Sequence, residues 1–339
     1  MRLVLCLSLL CVAVPGLSAQ NVAAPTIDQS LNMVTLGAPA ISPDGLHVVY
    51  QQTRTDWEAN SFENDLWMAS TAGAKSAKPH RLTAPMKSAT DAAWSPDGKW
   101  IAFLSTRPGS IPKSPADKPQ IYLAAADGGE GIQLTHVETG INHFEWAPDS
   151  RSLVFTAADP DSQARKDRKE SFGEYQVIHG DYTMSHLWTL DVPEDPGLTH
   201  PVPVRLTEGN GFTVGDFNVS HDGKQVTFAA QRDPDLISSY TSDIYTVTIV
   251  GHMVKKIVDT AGPDQAPHWS PDDKEIVFLT SNAEPNFFYS NNRMAVILAD
   301  GSGKPVIVND IFDEDAQIVA WKPEGIYFCL LYTSPSPRD

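Results

Sequence analysis

The chain repeats itself, and that repeat limits its fold more than any other feature. The stretch Trp94-Ser95-Pro96-Asp97-Gly98-Lys99-Trp100-Ile101-Ala102-Phe103 has five counterparts. Ile41-Ser42-Pro43-Asp44-Gly45 leads into Val48-Val49-Tyr50, Trp146-Ala147-Pro148-Asp149-Ser150 into Leu153-Val154-Phe155, and Val219-Ser220-His221-Asp222-Gly223 into Val226-Thr227-Phe228. Trp269-Ser270-Pro271-Asp272-Asp273 precedes Ile276-Val277-Phe278, and a worn copy, Trp321-Lys322-Pro323-Glu324-Gly325, precedes Ile326-Tyr327-Phe328. The acidic positions 44, 97, 149, 222, 272 and 324 lie 53, 52, 73, 50 and 52 residues apart.

Each copy has the chemistry of a tight turn between two strands. Pro presets φ, Asp bonds the backbone beyond it, and Gly relieves crowding at the exit. An apolar residue stands before the turn, and an apolar or alternating run follows it, as a buried strand requires. Two further short strands follow in each unit. The third reads Leu66-Trp67-Met68, Ile121-Tyr122-Leu123, Leu187-Trp188-Thr189, Ile244-Tyr245-Thr246 and, more weakly, Met294-Ala295-Val296. The fourth ends Arg81-Leu82-Thr83, Gln133-Leu134-Thr135 and Arg205-Leu206-Thr207, then drifts to Lys256-Ile257-Val258 and Val306-Ile307-Val308. Four strands in about 50 residues make a propeller blade, whereas a separate sandwich domain needs about 100. The predicted fold is therefore an all-β propeller of four-stranded blades, five complete and a sixth begun, across residues 41–328.

Around that repeat the chain divides simply. Residues 1–19 read as a secretory signal, with Arg2 at its start, an apolar run from Leu3 to Val14 and a break at Pro15-Gly16. Cleavage is expected after Ala19, with Ala24 the other candidate, and the product is expected in a periplasm or outside the cell. The apolar run is too short to span a bilayer. Residues 20–40 form a lead in which Thr26 to Leu31 can cap and begin a short helix. From Leu330 to Asp339 the repeat stops abruptly, and residues 329–339 read as a non-native tail. Past the signal, Cys329 is the only cysteine, so neither disulfides nor thiolate zinc supports the fold. Two insertions interrupt the blades. Residues 107–120 carry four prolines and read as an extended loop; residues 157–186 form an arm with the charged run Arg165 to Glu170 and then Phe172-Gly173-Glu174-Tyr175.

Composition and motifs exclude several functions. A net charge of -17 and a pI near 4.9 disfavour nucleic acid and anionic membrane surfaces as partners. No metalloprotease His-Glu-x-x-His, paired cysteine or phosphate-binding Gly-rich loop occurs, and Gly301-Ser302-Gly303-Lys304 reads as a turn, so no cofactor is expected. Asp310, Asp313, Glu314 and Asp315 lack the Gly and closing Glu of a calcium loop and read as surface acidity. The turn serines Ser42, Ser95, Ser220 and Ser270 recur because turns favour them, and the chain holds no Gly-x-Ser-x-Gly. His143, His179 and His186 show no acidic partner in sequence, and Asn218-Val219-Ser220 matches a glycosylation sequon at a strand end. No catalytic residue is assigned.

With the lead Thr26-Ile27-Asp28 through Gly37-Ala38-Pro39, the immediate entry into Ile41-Ser42-Pro43-Asp44-Gly45, and the segment from Gly173-Glu174-Tyr175 to His186-Leu187-Trp188, the chain resembles bacterial prolyl oligopeptidase family serine peptidases over about residues 25–328. The dipeptidyl aminopeptidase and acylaminoacyl peptidase branch fits best. The resemblance implies a propeller of seven or eight blades capping an α/β-hydrolase domain that carries Ser, Asp and His in that order and cleaves peptides. That domain would lie beyond this chain. In the dipeptidyl branch, carboxylates on a propeller arm hold the substrate's N-terminus, and the resemblance assigns that role to Glu174, then Glu170. The usual adjacent pair of acids is absent, since Tyr175 follows Glu174. The sheet edges left open imply self-association. Two other readings are a non-enzymatic periplasmic propeller similar to the TolB translocation component, for which residues 20–40 offer no preceding domain, and a propeller lyase or sugar-binding module.

Overall fold

The computed structural model describes residues 24–330, apart from 73–77, 84–87, 108–110, 112–114, 116, 130, 176, 178, 285 and 311–313. Within them the chain forms five four-stranded antiparallel sheets, with strands adjacent in sequence order, and one two-stranded sheet. The sheets cover residues 35–81, 90–133, 143–205, 213–256 and 264–307, and the last hairpin covers 316–330; they are blades 1 to 6. The first strands of successive blades lie side by side, while the fourth strands, two or three residues long, form the outer edges. Short sheets radiating from a shared inner ring are a β-propeller. The repeat predicted five complete blades and a sixth begun, and the strands fall where it placed them.

Each turn is locked by its own side chains. The hydroxyls of Ser42, Ser95, Ser220 and Ser270 donate to the Asp two residues on at 2.5, 2.7, 2.8 and 2.9 Å. The same oxygens accept the backbone N–H of His47, Trp100, Gln225 and Glu275 at 2.9 to 3.0 Å, closing the hairpin. The fifth turn position needs positive φ, and Gly98 supplies it at 72°. Ser150 and Asp273 adopt 60° and 57° at that position, where glycine would be easier. Each uses its side chain on the preceding blade: Ser150 Oγ accepts from Asp97 N at 2.9 Å, and Asp273 accepts from His221 N and Asp222 N, both at 2.8 Å.

The tryptophan before the turn performs the same kind of coupling. The indole N–H of Trp94 donates to Ala40 O at 3.1 Å, that of Trp146 to Ala93 O at 3.2 Å, and that of Trp269 to Asn218 O at 3.0 Å. Each carbonyl lies two residues before the turn serine of the previous blade. The core is correspondingly a stack of layers between blades. Val49, Leu66, Ile101 and Phe103 fill the first, Leu123, Phe144 and Phe155 the second, Val154, Leu187, Phe217 and Phe228 the third, and Ile244, Trp269 and Phe278 the fourth.

The recurring Leu-Thr that ends the fourth strand also has a physical use. Thr83, Thr135 and Thr207 accept the backbone N–H of Leu66, Ile121 and Leu187 at 3.2, 2.9 and 3.0 Å, and Asn309 does the same for Met294 at 2.8 Å. They tie the outer strand to the buried third one. On the third strands, Arg81 lies over Trp67, Arg107 over Tyr122, Arg205 over Trp188 and Lys256 over Tyr245, at 4.3 to 5.8 Å from the ring centroids.

The lead forms helix α1, Ile27–Leu31, with Thr26 and Gln29 making a reciprocal capping box. Cys329 and Leu330, read from sequence as the start of the tail, continue the last strand opposite Gln317 and Ala316. The expected signal, residues 1–19, and residues 331–339 lie outside the described residues. Replacing Trp269 by Phe should remove the indole's bond to the Asn218 carbonyl and lower stability by about 0.5–1.5 kcal/mol in urea denaturation. An unchanged midpoint would remove the indole link from the account.

Candidate functional site

A meander of four strands sends its connections to two different faces. Turns between first and second strands, and between third and fourth, share one face. The connections between second and third strands share the other with the crossovers to the next blade. That second face carries the long connections of blades 2 to 5, in the described parts of 106–119, 159–184, 232–242 and 281–292. Function on a rigid scaffold concentrates in such loops.

The longest of them is the arm of blade 3. The sequence placed an arm with a charged run here; the structure makes that run helix α2, Gln163–Phe172, with every residue outside the core. Ser162 caps it by accepting from Arg165 N at 3.3 Å, and Gly173 ends it at φ 82°. Ala, Arg, Lys and Glu are good helix formers, and Gln163 bonds Asp167 one turn on at 2.6 Å. The helix folds back on its own arm through Arg165 to Thr183 at 2.9 Å and Arg168 to Asp181. The returning segment of the arm reaches blade 4, where Asp235 meets His179 Nδ1 at 3.0 Å and the Tyr182 hydroxyl at 3.2 Å. A groove of about 540 Å³ runs between these parts, lined by Arg165, His179, Asp181, Tyr182 and Asp235.

A second group of polar residues belongs to the inner ring. Register shifts between Thr90 and Ala93 and between Val214 and Phe217 are β-bulges, and they contain Asp91 and Asp216. Both carboxylates are exposed, and both act electrostatically on His143 of blade 3; Asp216 also acts on His268 of blade 5. Burial of the half-buried His268 pushes its imidazole below the ordinary value, with Asp216 partly opposing it, and crowding shifts the more exposed His143 in the same direction against Asp91 and Asp216. Four blades thus contribute to one electrostatic neighbourhood.

Beside it, Glu145 departs from the pattern of the ring. Blade 4 has Val219 where Trp94, Trp146 and Trp269 stand, so no indole reaches back to blade 3. Glu145 reaches forward instead, and its Oε2 accepts from Val219 N at 3.0 Å and Asn218 Nδ2 at 3.3 Å. Burial pushes its carboxyl up to about 7 despite those bonds. Asn218 in turn accepts from Trp269 N at 3.0 Å through its side chain, which commits the sequon asparagine to the seam between blades.

The structure does not bring the two nominated acids together with these groups. Glu174 is exposed just past the end of α2, paired with Lys169 at 2.7 Å; that hydrogen bond and charge hold its carboxyl below the usual range. Glu170 is exposed on α2 itself. The histidines without evident partners do have them: His179 meets Asp235, and the fully buried His186 lies between Thr207 Oγ1 at 3.1 Å and Gly209 O at 3.0 Å. The turn serines serve the turns. Asp315 accepts from Asn292 N at 3.0 Å, and Asp313 lies outside the described residues. The seam formed by Glu145 was missed in sequence, although Val219 in place of the Trp that the neighbouring repeats carry signals it.

Fold and repeat place the chain among β-propellers whose loop face carries an arm. No protein-family model matches it. It is 28% identical over 233 residues to the uncharacterized peptidase YuxL of Bacillus subtilis, covering 65% of this chain and 33% of that protein. It is 27% identical over 315 residues to dipeptidyl-peptidase 5 of Porphyromonas gingivalis, covering 85% and 43%. The chain therefore spans less than half the length of these curated relatives. Among solved structures, acylaminoacyl peptidase of Pyrococcus horikoshii matches with a TM-score of 0.61 at 16% identity, over 88% of this chain and 43% of that one. The propeller domain of the trilobed protease of Pyrococcus furiosus gives 0.57 at 16%, over 88% and 79%, and a putative TolB of Agrobacterium tumefaciens gives 0.53 at 22%, over 88% and 91%. At these identities the structural matches speak for the fold alone. Together with the curated relatives, the chain is similar to the propeller part of prolyl oligopeptidase family serine peptidases.

The seam at Glu145 has a pH signature. A carboxyl raised from 4.5 to about 7 in the folded chain contributes its full stability below about pH 4.5 and loses it as pH rises through 7. Glu145→Gln keeps an acceptor and cannot ionise. Its melting point should equal wild type near pH 4.5 and exceed it by about 2–4 °C at pH 8. A pH-independent difference would contradict the buried carboxylate.

Proposed function

We propose that this chain is the substrate-gating propeller of an exported serine peptidase acting on short peptides. In the whole protein it would be joined to an α/β-hydrolase domain carrying Ser, Asp and His. The observation that carries the reading is the pair of curated relatives, both peptidases by name, matched over 33% and 43% of their lengths. Such a propeller would act by position. Its rigid ring would restrict access to the catalytic domain by size, and its loop face, with the arm of blade 3, would meet the part of the peptide left outside the reacting bond.

Within that reading Glu174 would pair with the ammonium of a substrate's free N-terminus. Its lowered carboxyl keeps it ionised at neutral pH, and its present partner Lys169 is an exposed side chain that an incoming ammonium could displace. The residue lies on an arm long enough to leave its blade. The Ser, Asp and His of the catalytic domain would do the chemistry: Ser attacks the peptide carbonyl, His takes its proton, and Asp orients the His.

A protein-binding propeller without catalysis is the second reading. It is favoured by the likeness to the putative TolB, which extends over 91% of that chain. Reading the gene past the Phe328 codon from a fresh template separates the two. Peptidase function expects one or two more blades and then roughly 250 residues containing Gly-x-Ser-x-Gly. A frame that closes after about one more blade makes the protein a binding propeller.

In the extended protein, Glu174→Ala should raise KM for peptides with a free N-terminus by about tenfold and leave N-blocked peptides unchanged. Equal loss on both would take Glu174 out of recognition.

A further inference from the structure

A cavity of about 350 Å³ lies at the root of the arm, apart from the groove against blade 4 and from the inner ring. Its walls are the Trp188 ring, Ala158, Pro160, Val202 and Pro203, and its rim is the crossover from blade 2 that carries Glu138. The volume is within the range of small-ligand sites, and so is the lining, mostly apolar with a few polar groups. The Trp188 ring is held in place by Arg205 on its face at 5.2 Å, and Arg205 is fixed by Asp159 at 2.7 Å. The indole N–H of Trp188 is buried without a hydrogen-bond partner, as is that of Trp67 at the same place in blade 1, so the unpaired donor belongs to the repeat. What blade 3 adds is the space beside the ring.

The rim decides which ligand fits. Glu138 is exposed and pairs with Lys166 of α2 at 3.0 Å. Among the described residues that is the only ion pair or hydrogen bond joining α2 to a residue outside the arm; the others, through Arg165, Arg168 and Lys169, stay inside it. An exposed pair of this kind contributes little and exchanges readily with another cation. A carboxylate at the mouth of an aliphatic and aromatic pocket, on a chain of net charge -17, is complementary to a cation with an apolar body.

We propose that this cavity binds a small apolar amine, whose branched or cyclic body packs against Trp188 and whose ammonium takes Glu138 from Lys166. Occupancy then breaks the ion pair from α2 to the blade 2 crossover and loosens the helix, while the return segment stays tied to blade 4 through Asp235. This assignment stands on the cavity and its rim and does not rest on the peptidase reading.

The test is calorimetric titration of the full chain with cyclohexylmethylamine and with its N-acetyl derivative, together with amide hydrogen exchange across Gln163–Phe172. The free amine should bind saturably, and acetylation or Glu138→Gln should weaken binding by about three- to fivefold, the scale of one exposed ion pair. Exchange in α2 should rise on binding and approach that of Lys166→Ala. Val202→Arg places a cation and extra bulk at an exposed position on the wall; it should abolish binding with unchanged circular dichroism. Equal binding of the acetylated compound, no saturable binding of either, or binding that survives Val202→Arg overturns the site. Binding without faster exchange in α2 overturns the loosening of the helix.

Discussion

The hydrogen bond from one blade's tryptophan to the previous blade's inner strand shows the constraint on which this molecule depends. A four-stranded sheet of such short strands has two faces and cannot bury either by itself. Each blade therefore completes its core against its neighbour, and the apolar layers lie between blades rather than within them. Packing alone would leave the blades free to slide, because apolar contact is not directional. The indoles of Trp94, Trp146 and Trp269 supply direction, and Ser150 and Asp273 add a second link at the turns. Where the indole is lacking, Glu145 bridges from the other side and makes that seam ionisable.

The same meander separates stability from function in space. Tight turns locked by Ser and Asp occupy one face, where substitution would loosen a hairpin. The opposite face receives the connections between second and third strands, whose length does not affect how the blades stack. That is why a segment as long as 159–184 can be accommodated in blade 3 without disturbing the register of its strands. Its helix contributes no buried residue and is held by ion pairs near the surface. The arm thus lies outside the core of the sheets that support it, and its return segment spans blades 3 and 4 beside the seam that Glu145 bridges.

The bulges of the inner strands have a related effect. An extra residue in a strand re-aims the side chains around it. In this chain the displaced residues include Asp91 and Asp216, which act on His143 and His268 from other blades. None of these four is adjacent to another in sequence, and two belong to blades whose repeats look ordinary. Glu174, which a short motif brought forward, lies on the exposed arm with Lys169, away from this neighbourhood.

The turn motif and its spacing determined the blade as a unit, the number of blades in the chain, the places of all four strands in each, and the turn role of Ser42, Ser95, Ser220 and Ser270. These are local matters: Pro, Asp and Gly act over five residues, and alternation acts within one strand. The sequence also placed the arm, but a charged run without an apolar face gave no periodic signal for the helix α2 that the structure shows there. Only the tertiary structure decided which residues meet across blades. Glu145 with Val219, His179 with Asp235, and Trp188 with the cavity beside Glu138 are separated by up to 74 residues in the chain. Their encounters follow from the rotation between stacked sheets and from the side to which each bulge turns a side chain, and a sequence records neither until the blades are assembled.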